Sequence, residues 1–369
     1  MPRARELGIR IGTHEPGPGD AITDVAGVRV GSVTLIEGDG PLRRGRGPVR
    51  TGVTVVVPDG ERVFAEHFAG AHRLNGNGEL TGLEWVRESG RLTTPIGLTN
   101  THSVGVVRDA LIAAELALGG SGERWALPVV GETWDGVLND VNGFHVRPEH
   151  VHQALERAGA GPVEEGGVGG GTGMICHEFK GGIGTASRVV DEGFTVGVLV
   201  QANHGWRERL CVDGLPVGRL IGYDLVPEPG AAPAGAGSII VICATDAPLL
   251  PHQCTRLAQR CALGIARTGG AGENSSGDLI LAFSTAHRDL PPAESEEISP
   301  LSVAVDMLAD AHITSLFHAA VEATEAAIVN ALLAAETMTG RDGITAHAIG
   351  AERLLDALRR LDPEKLTLD

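Results

Sequence analysis

Apolar positions along the chain fall into two periods. The runs TGVTVVVPDG (51–60), SIIVICATD (238–246) and DLILAFSTA (278–286) are short, almost continuously apolar and bounded by turn residues. That pattern predicts strands buried on both faces. Val28, Val30 and Val33 recur between small residues within AITDVAGVRVGSVTL, and two further strands are expected around 183–190 and 194–202, the second ending in QANHG. LTTPIGLTNT supplies a strand and a loop. The other period is helical. GLEWVRESG and HSVGVVRDALIAAELAL repeat at helical spacing, most clearly over 105–118, and a short helix is expected near 149–158. PHQCTRLAQRCALGIAR carries Leu257, Cys261 and Gly264 on one face. An Ala-rich run from about 303 to 337 and ITAHAIGAERLLDALRRL predict two more helices. Strands and helices mix without the steady alternation of a doubly wound sheet. The expected class is therefore α/β (α+β), a layered sandwich forming a single domain over 1–369.

One stretch breaks both periods. VPEPGAAPAGAG (226–237) is Pro, Gly and Ala and cannot contribute to a core, so it reads as an exposed linker. It runs directly into the apolar strand that starts at Ser238. If the backbone were cut before Ser238, the new α-amine would sit on a rigid element beside its own hydroxyl. An α-amine has a pKa near 8 and can take the hydroxyl proton, which activates an otherwise poor nucleophile. The same hydroxyl can make the cut by attacking the Gly237 carbonyl, and Gly237, lacking Cβ, can adopt the strained dihedrals that expose it.

Composition narrows the picture. With 53 glycines and only 3% aromatic residues among 369, tight turns and close backbone packing are expected. The formal charge of −17 argues against a nucleic acid partner, which needs a basic stripe, and none appears in the sequence. No run reaches the ~18 apolar residues of a membrane span, and the basic start lacks an apolar core of a secretory signal. Five cysteines without a CxxC read as buried thiols. These features together predict a cytoplasmic protein. The Gly-rich tract 166–173 lacks GxxxxGK[ST] and the dinucleotide fingerprint, so close backbone approach is the better reading. The fourteen histidines show no HExxH or similar spacing, and His150 and His152 read as surface residues before a helix. No metal and no cofactor is expected.

Several long blocks, in order, are similar to the L-aminopeptidase/D-esterase family, the DmpA-type and β-peptidyl aminopeptidases. They are AITDVAGVRVG, GETWDGVLND (131–140), GGVGGGTGMICHEFKGGIGTASR, VLVQANHG (198–205) and GSIIVICATDAPLLPHQCTRLAQRCALGIART (237–268). The resemblance implies a four-layered αββα sandwich of the Ntn-hydrolase kind with its own connectivity. It also implies a precursor split into an α chain, 1–237, and a β chain, 238–369, that stay together and self-associate as a homo-oligomer.

Carried onto this sequence, the resemblance makes Gly237–Ser238 the cleavage site and Ser238 the nucleophile. ENSSGDLILAF (273–283) then supplies Ser276 and Asp278 to orient the nucleophile and its amine, two residues apart and so on one strand face. Some relatives carry Glu where Asp278 stands. Asn203 matches the family's oxyanion amide. Glu132 is expected to bind the substrate's ammonium through charge-assisted hydrogen bonds. Trp134, where relatives can carry Tyr, is expected to wall the pocket. The expected activity is removal of the first residue from short peptides, amides or esters that bear a free amino terminus, through an acyl-Ser238 intermediate. One alternative is acyl transfer of the ornithine-acetyltransferase-like or nylon-oligomer-hydrolase-like type; those relatives use threonine, so Ser238 disfavours them. The other is a non-processing oligomeric binding scaffold, against which the joint presence of Gly237, Ser238, Asn203 and Ser276 argues.

Overall fold

In the computed structural model, the described residues are 2–118, 125–230, 237–292 and 300–363. The chain opens with β1 (Arg29–Glu37) and β2 (Val49–Val57), then β3 (His67–Gly76), α1 (Leu83–Ser89), β4 (Arg91–Leu92) and β5 (Ile96–Asn100). Next come α2 (Val104–Ala117), β6 (Val129–Thr133), α3 (Pro148–Glu156) and a hairpin of β7 (Ile175–Cys176) and β8 (Phe179–Lys180). β9 (Gly182–Val189), β10 (Thr195–Asn203) and β11 (Gly237–Thr245) follow, then α4 (Pro251–Arg267), β12 (Ser276–Ser284) and α5 (Ile313–Ala334). A short ribbon of β13 (Met338–Thr339) and β14 (Thr345–Ala346) precedes α6 (Ala351–Leu361).

The strands assemble into two main sheets, ordered β1-β2-β5-β6 and β4-β3-β12-β11-β10-β9. In the larger sheet every pairing is antiparallel except β11 with β12. The alternation of side chains explains the layering. On β11, Ile239, Val241 and Cys243 join the core beneath α4 and α5, whereas Ile240, Ile242 and Ala244 join the core between the sheets. On β2, Val53 and Val55 pack toward α2 and α3 while Val56 faces the larger sheet. Helices thus cover both outer faces and leave two sheets packed against each other. This is the expected αββα sandwich, and a strand apolar on both faces is what the central layers require.

Some boundaries differ from the sequence reading. The expected 303–337 helix begins only at Ile313, and 300–309 runs as irregular chain. α5 is apolar enough to cross a membrane by length and composition, but it is a buried core helix here. His150 and His152 lie within α3 instead of before it, and His150 Nδ1 accepts the Arg147 N–H at the helix start. Of the linker, 231–236 lies outside the described residues, and Gly237 already belongs to β11, so Ser238 is the second strand residue. The Gly-rich tract does pack backbone to backbone: a Cβ on Gly170 would sit 2.6 Å from the Leu98 carbonyl oxygen, and one on Gly171 2.4 Å from the Ile183 nitrogen.

The inter-sheet layer predicts its own energetics. Leu281 is fully buried there, so Leu281→Ala should cost about 2–5 kcal/mol in denaturant unfolding. Leu301→Ala, at a fully exposed position, should stay within about 0.5 kcal/mol of the parent.

Candidate active site

Ser238 lies near the start of β11, between Asn203 on β10 and Gly277 on β12. It is buried, and its Oγ accepts the Gly277 N–H at 3.2 Å. Because that bond uses Oγ as an acceptor, the hydroxyl proton remains available to a base. The side chain shares the inter-sheet face with Ile240, as alternation requires.

Gly237 is held against the end of β10. A Cβ there would lie 2.3 Å from the Asn203 carbonyl oxygen and 2.9 Å from His204 Cα. No ordinary side chain fits without moving backbone. Steric closeness, more than dihedral freedom, is what the structure asks of this glycine.

Asn203 is buried, and both ends of its carboxamide are fixed. Oδ1 accepts the Ile175 N–H at 2.7 Å, and Nδ2 donates to the Trp134 carbonyl at 3.0 Å. One amide hydrogen is thereby committed, leaving the second for another acceptor. The hairpin that provides Ile175 is held by Lys180, which sequence reading passed over. Its fully buried Nζ donates to the carbonyls of Gly181 (2.8 Å), Met174 (3.0 Å) and Gly171 (3.4 Å). Burial brings its pKa down to about 7. A lone lysine between Phe179 and two glycines was the available signal.

Ser276 and Asp278 do share a face of β12, and Ser276 Oγ donates to Asp278 Oδ1 at 2.6 Å. Their relation to Ser238 is less direct than the sequence suggested. The register pairs Ser238 with Gly277 and Ile239 with Asp278, so the hydroxyl and the carboxyl lie on opposite faces of the sheet. What the Asp278 carboxyl meets is main chain: it takes the backbone N–H of Ile239, one residue beyond Ser238. Burial raises the Asp278 pKa to about 6, and the Glu273 carboxylate adds to the rise, against the lowering from Ser276 and the Ile239 N–H. The one-methylene-shorter acid therefore reaches the backbone of the nucleophile's strand.

Glu132 is the penultimate residue of β6 and is buried. Its Oε1 accepts the Glu79 N–H at 2.9 Å and Oε2 the Thr101 hydroxyl. Burial raises its pKa, opposed by those two donors. It is joined to the nucleophile's surroundings through Gly78 and Gly277. A Cβ on Gly78 would lie 3.0 Å from Gly277 Cα and 3.2 Å from Glu132 Oε1. Trp134 is partly exposed, its ring edge-on to His102 with centroids 5.7 Å apart, and His102 stacks on exposed Phe144 at 6.1 Å. Sequence reading singled out the tryptophan of this aromatic group as a pocket residue but passed over His102 and Phe144, which have no periodic signature. A buried carboxylate, an aromatic rim and a buried hydroxyl next to a held carboxamide can together bind a cationic amine and carry out acyl transfer.

Comparisons with known proteins agree with that chemistry. The model of peptidase family S58 matches residues 20–346. The chain is 49% identical to beta-peptidyl aminopeptidase BapA of Sphingosinicella microcystinivorans, over 97% of this chain and 92% of the relative. Among solved structures, a Burkholderia sp. beta-aminopeptidase superposes with a TM-score of 0.91 at 54% identity, covering 98% of this chain and 99% of that one. The L-aminopeptidase D-Ala-esterase/amidase of Ochrobactrum anthropi, described as a prototype serine aminopeptidase and a variant of the Ntn-hydrolase fold, gives 0.90 at 43% identity over the whole of both chains. The chain belongs to peptidase family S58 and is a serine-type aminopeptidase with the Ntn-hydrolase-like fold.

Proposed function

We propose that the chain cuts itself between Gly237 and Ser238 and then uses Ser238 to release the first residue of short peptides, amides or esters. The observation that carries this is the buried Ser238 hydroxyl, held by the Gly277 N–H directly after a glycine that has no room for a side chain. In the cut, Ser238 Oγ adds to the Gly237 carbonyl carbon and the C–N bond breaks. The result is an ester on Oγ and a free α-amine. Water then opens the ester, leaving a Gly237 carboxylate and the Ser238 hydroxyl.

In turnover the new α-amine takes the hydroxyl proton as Oγ attacks the substrate carbonyl, and returns it to the leaving amine. The uncommitted Asn203 N–H serves the oxyanion, a contribution of about 2.7–4 kcal/mol in comparable holes. Asp278, oriented by Ser276, faces the main chain near that amine and steadies its ammonium form. Glu132 binds the substrate's own ammonium, with Trp134 beside it. The names of the relatives at 49% and 54% identity favour substrates whose first residue is a β-amino acid. The processed unit is proposed to be cytoplasmic and to self-associate.

Intact mass spectrometry of the purified protein tests the mechanism. Two fragments meeting at 237/238 are expected for the parent and one full-length species for Ser238→Ala. An uncut parent with aminopeptidase activity would sink the proposal.

Gly237→Ala must displace the Asn203 carbonyl, a shift costing about 1–3 kcal/mol. If that cost falls on the transition state, scission slows roughly ten- to a hundredfold. A gel time course of freshly expressed chain reads this directly.

Asp278 gives opposite signs for activity and stability. Its folded pKa, about 6, lies above the ordinary unfolded value, so its ionisation works against folding, progressively as pH rises through that interval. In the uncut Ser238→Ala background, Asp278→Asn should raise Tm above pH 6 and change it little near pH 4, as read by thermal melts. In the processed enzyme the same substitution should lower kcat, because the ammonium loses its counter-charge.

A further inference from the structure

Cys176, His177 and His204 come together just beyond Asn203, and all three are fully buried or nearly so. Cys176 and His177 lie at the β7–β8 hairpin, whose turn residues His177 and Glu178 both take positive φ. His204 is the first residue past β10. The two elements are tied by the His177 N–H donating to the His204 carbonyl at 2.7 Å. Cys176 Sγ stands 3.8 Å from His204 Nδ1, and the two imidazole rings are 5.1 Å apart, tilted by 66°.

The polar accounting of this cluster does not close. His177 Nδ1 lies 3.0 Å from the Trp206 carbonyl, an acceptor, so Nδ1 carries the proton. With the proton on Nδ1, Nε2 presents a lone pair. That lone pair meets no donor, and His204 Nε2 is likewise buried without a partner. Leaving a buried polar atom unsatisfied costs about 1–3 kcal/mol. An imidazole whose far N–H is anchored on a carbonyl is also the arrangement found behind metal-ligating histidines.

Geometry and charge indicate what the cluster can hold. One ligand atom from each residue lies within 4.8 Å of the other two. At the centre of a triangle of that size, an ion is at most about 2.8 Å from each corner. A contraction of roughly 0.5–0.8 Å then reaches ordinary metal–sulfur and metal–imidazole distances of about 2.0–2.3 Å. Among the described residues the group offers three ligands and no acid. One thiolate and two neutral imidazoles make a neutral group with a monovalent cation, whereas a divalent ion would leave these three buried ligands with a net positive charge. A thiolate selects soft ions such as Cu(I), and imidazole suits copper as it does zinc.

We propose that Cys176, His177 and His204 form a three-coordinate site for a soft monovalent cation, Cu(I), which pins the β7–β8 hairpin to the exit of β10. The site takes no part in the peptidase reaction. It locks the two elements that hold Asn203.

The test uses the full-length processed protein, titrated anaerobically with Cu(I) against a competing chelator, with Ag(I) and Zn(II) in parallel. One equivalent of Cu(I) per chain is expected, with a thiolate-to-copper absorption in the ultraviolet, a raised Tm, and weaker retention of Zn(II). X-ray absorption should show one sulfur and two nitrogen neighbours. The absorption should survive Cys211→Ser, which removes the one cysteine that is not buried, and vanish in Cys176→Ser. Should Cys176→Ser fail to fold by circular dichroism, the neighbour count on the parent protein decides. No retention against the chelator, a band that survives Cys176→Ser, a coordination sphere other than one sulfur and two nitrogens, or Zn(II) held more tightly than Cu(I) would each overturn the proposal.

Discussion

The parallel register between β11 and β12 governs the site. Pairing Ser238 with Gly277 places the hydroxyl between the sheets and directs a backbone donor onto it. The same register sends Ser276 and Asp278 to the opposite face, toward the helices. Only the main chain of β11 is reachable from both sides. A mechanism built on a backbone amine suits that constraint better than one in which a side-chain acid touches the serine hydroxyl. Two residues on one strand sharing a face is a sound rule; which neighbour they share it with is a property of the register.

The strand ends that converge here are unusually polar for a central layer, and their hydrogen bonds show how that is tolerated. Gln201 Nε2 bridges across the sheets to the Thr99 carbonyl and the Thr133 hydroxyl, each at 2.8 Å. Asn203 is held at both ends, and Lys180 gathers the carbonyls of Gly171, Met174 and Gly181 in the interior. Each link fixes the next, so the carboxamide proposed for the oxyanion is oriented before any substrate arrives. Preorganisation of this kind is where most of an enzyme's electrostatic advantage resides.

The strands were the most legible part of the sequence. Continuous apolar runs at 51–57, 239–244 and 279–283 can satisfy their burial only in a doubly covered layer, and the structure puts them there. The late start of α5 was hidden because Ser, Val, Ala and Asp at 302–306 give no break signal, although in the structure they form an exposed irregular segment. The candidate residues came from resemblance to a family, and alternation alone would have misassigned the face of Asp278. Thr101, Lys180 and the Ile175 and Gly277 N–H groups were illegible for a different reason. Backbone donors carry no sequence signature, and a lone lysine between Phe179 and two glycines marks an unusual position without naming the carbonyls around it.

β11 is not an edge strand. It runs down the middle of a six-stranded sheet, zipped to β10 on one side and β12 on the other, with helices over one face and the second sheet over the other. A terminus created at its first turn of pleat therefore opens no seam. Were the proposed scission to occur, β11 beyond Ser238 would keep its ladders to both neighbours, and the broken bond would be thermodynamically quiet while the fold stands. The loss shows only on unfolding, when the pieces part and the loop closure that the intact chain supplied for free is gone. A molecule processed in this way holds a structure that only its unbroken ancestor had an easy route to, and its durability rests on the height of the barrier to leaving that structure.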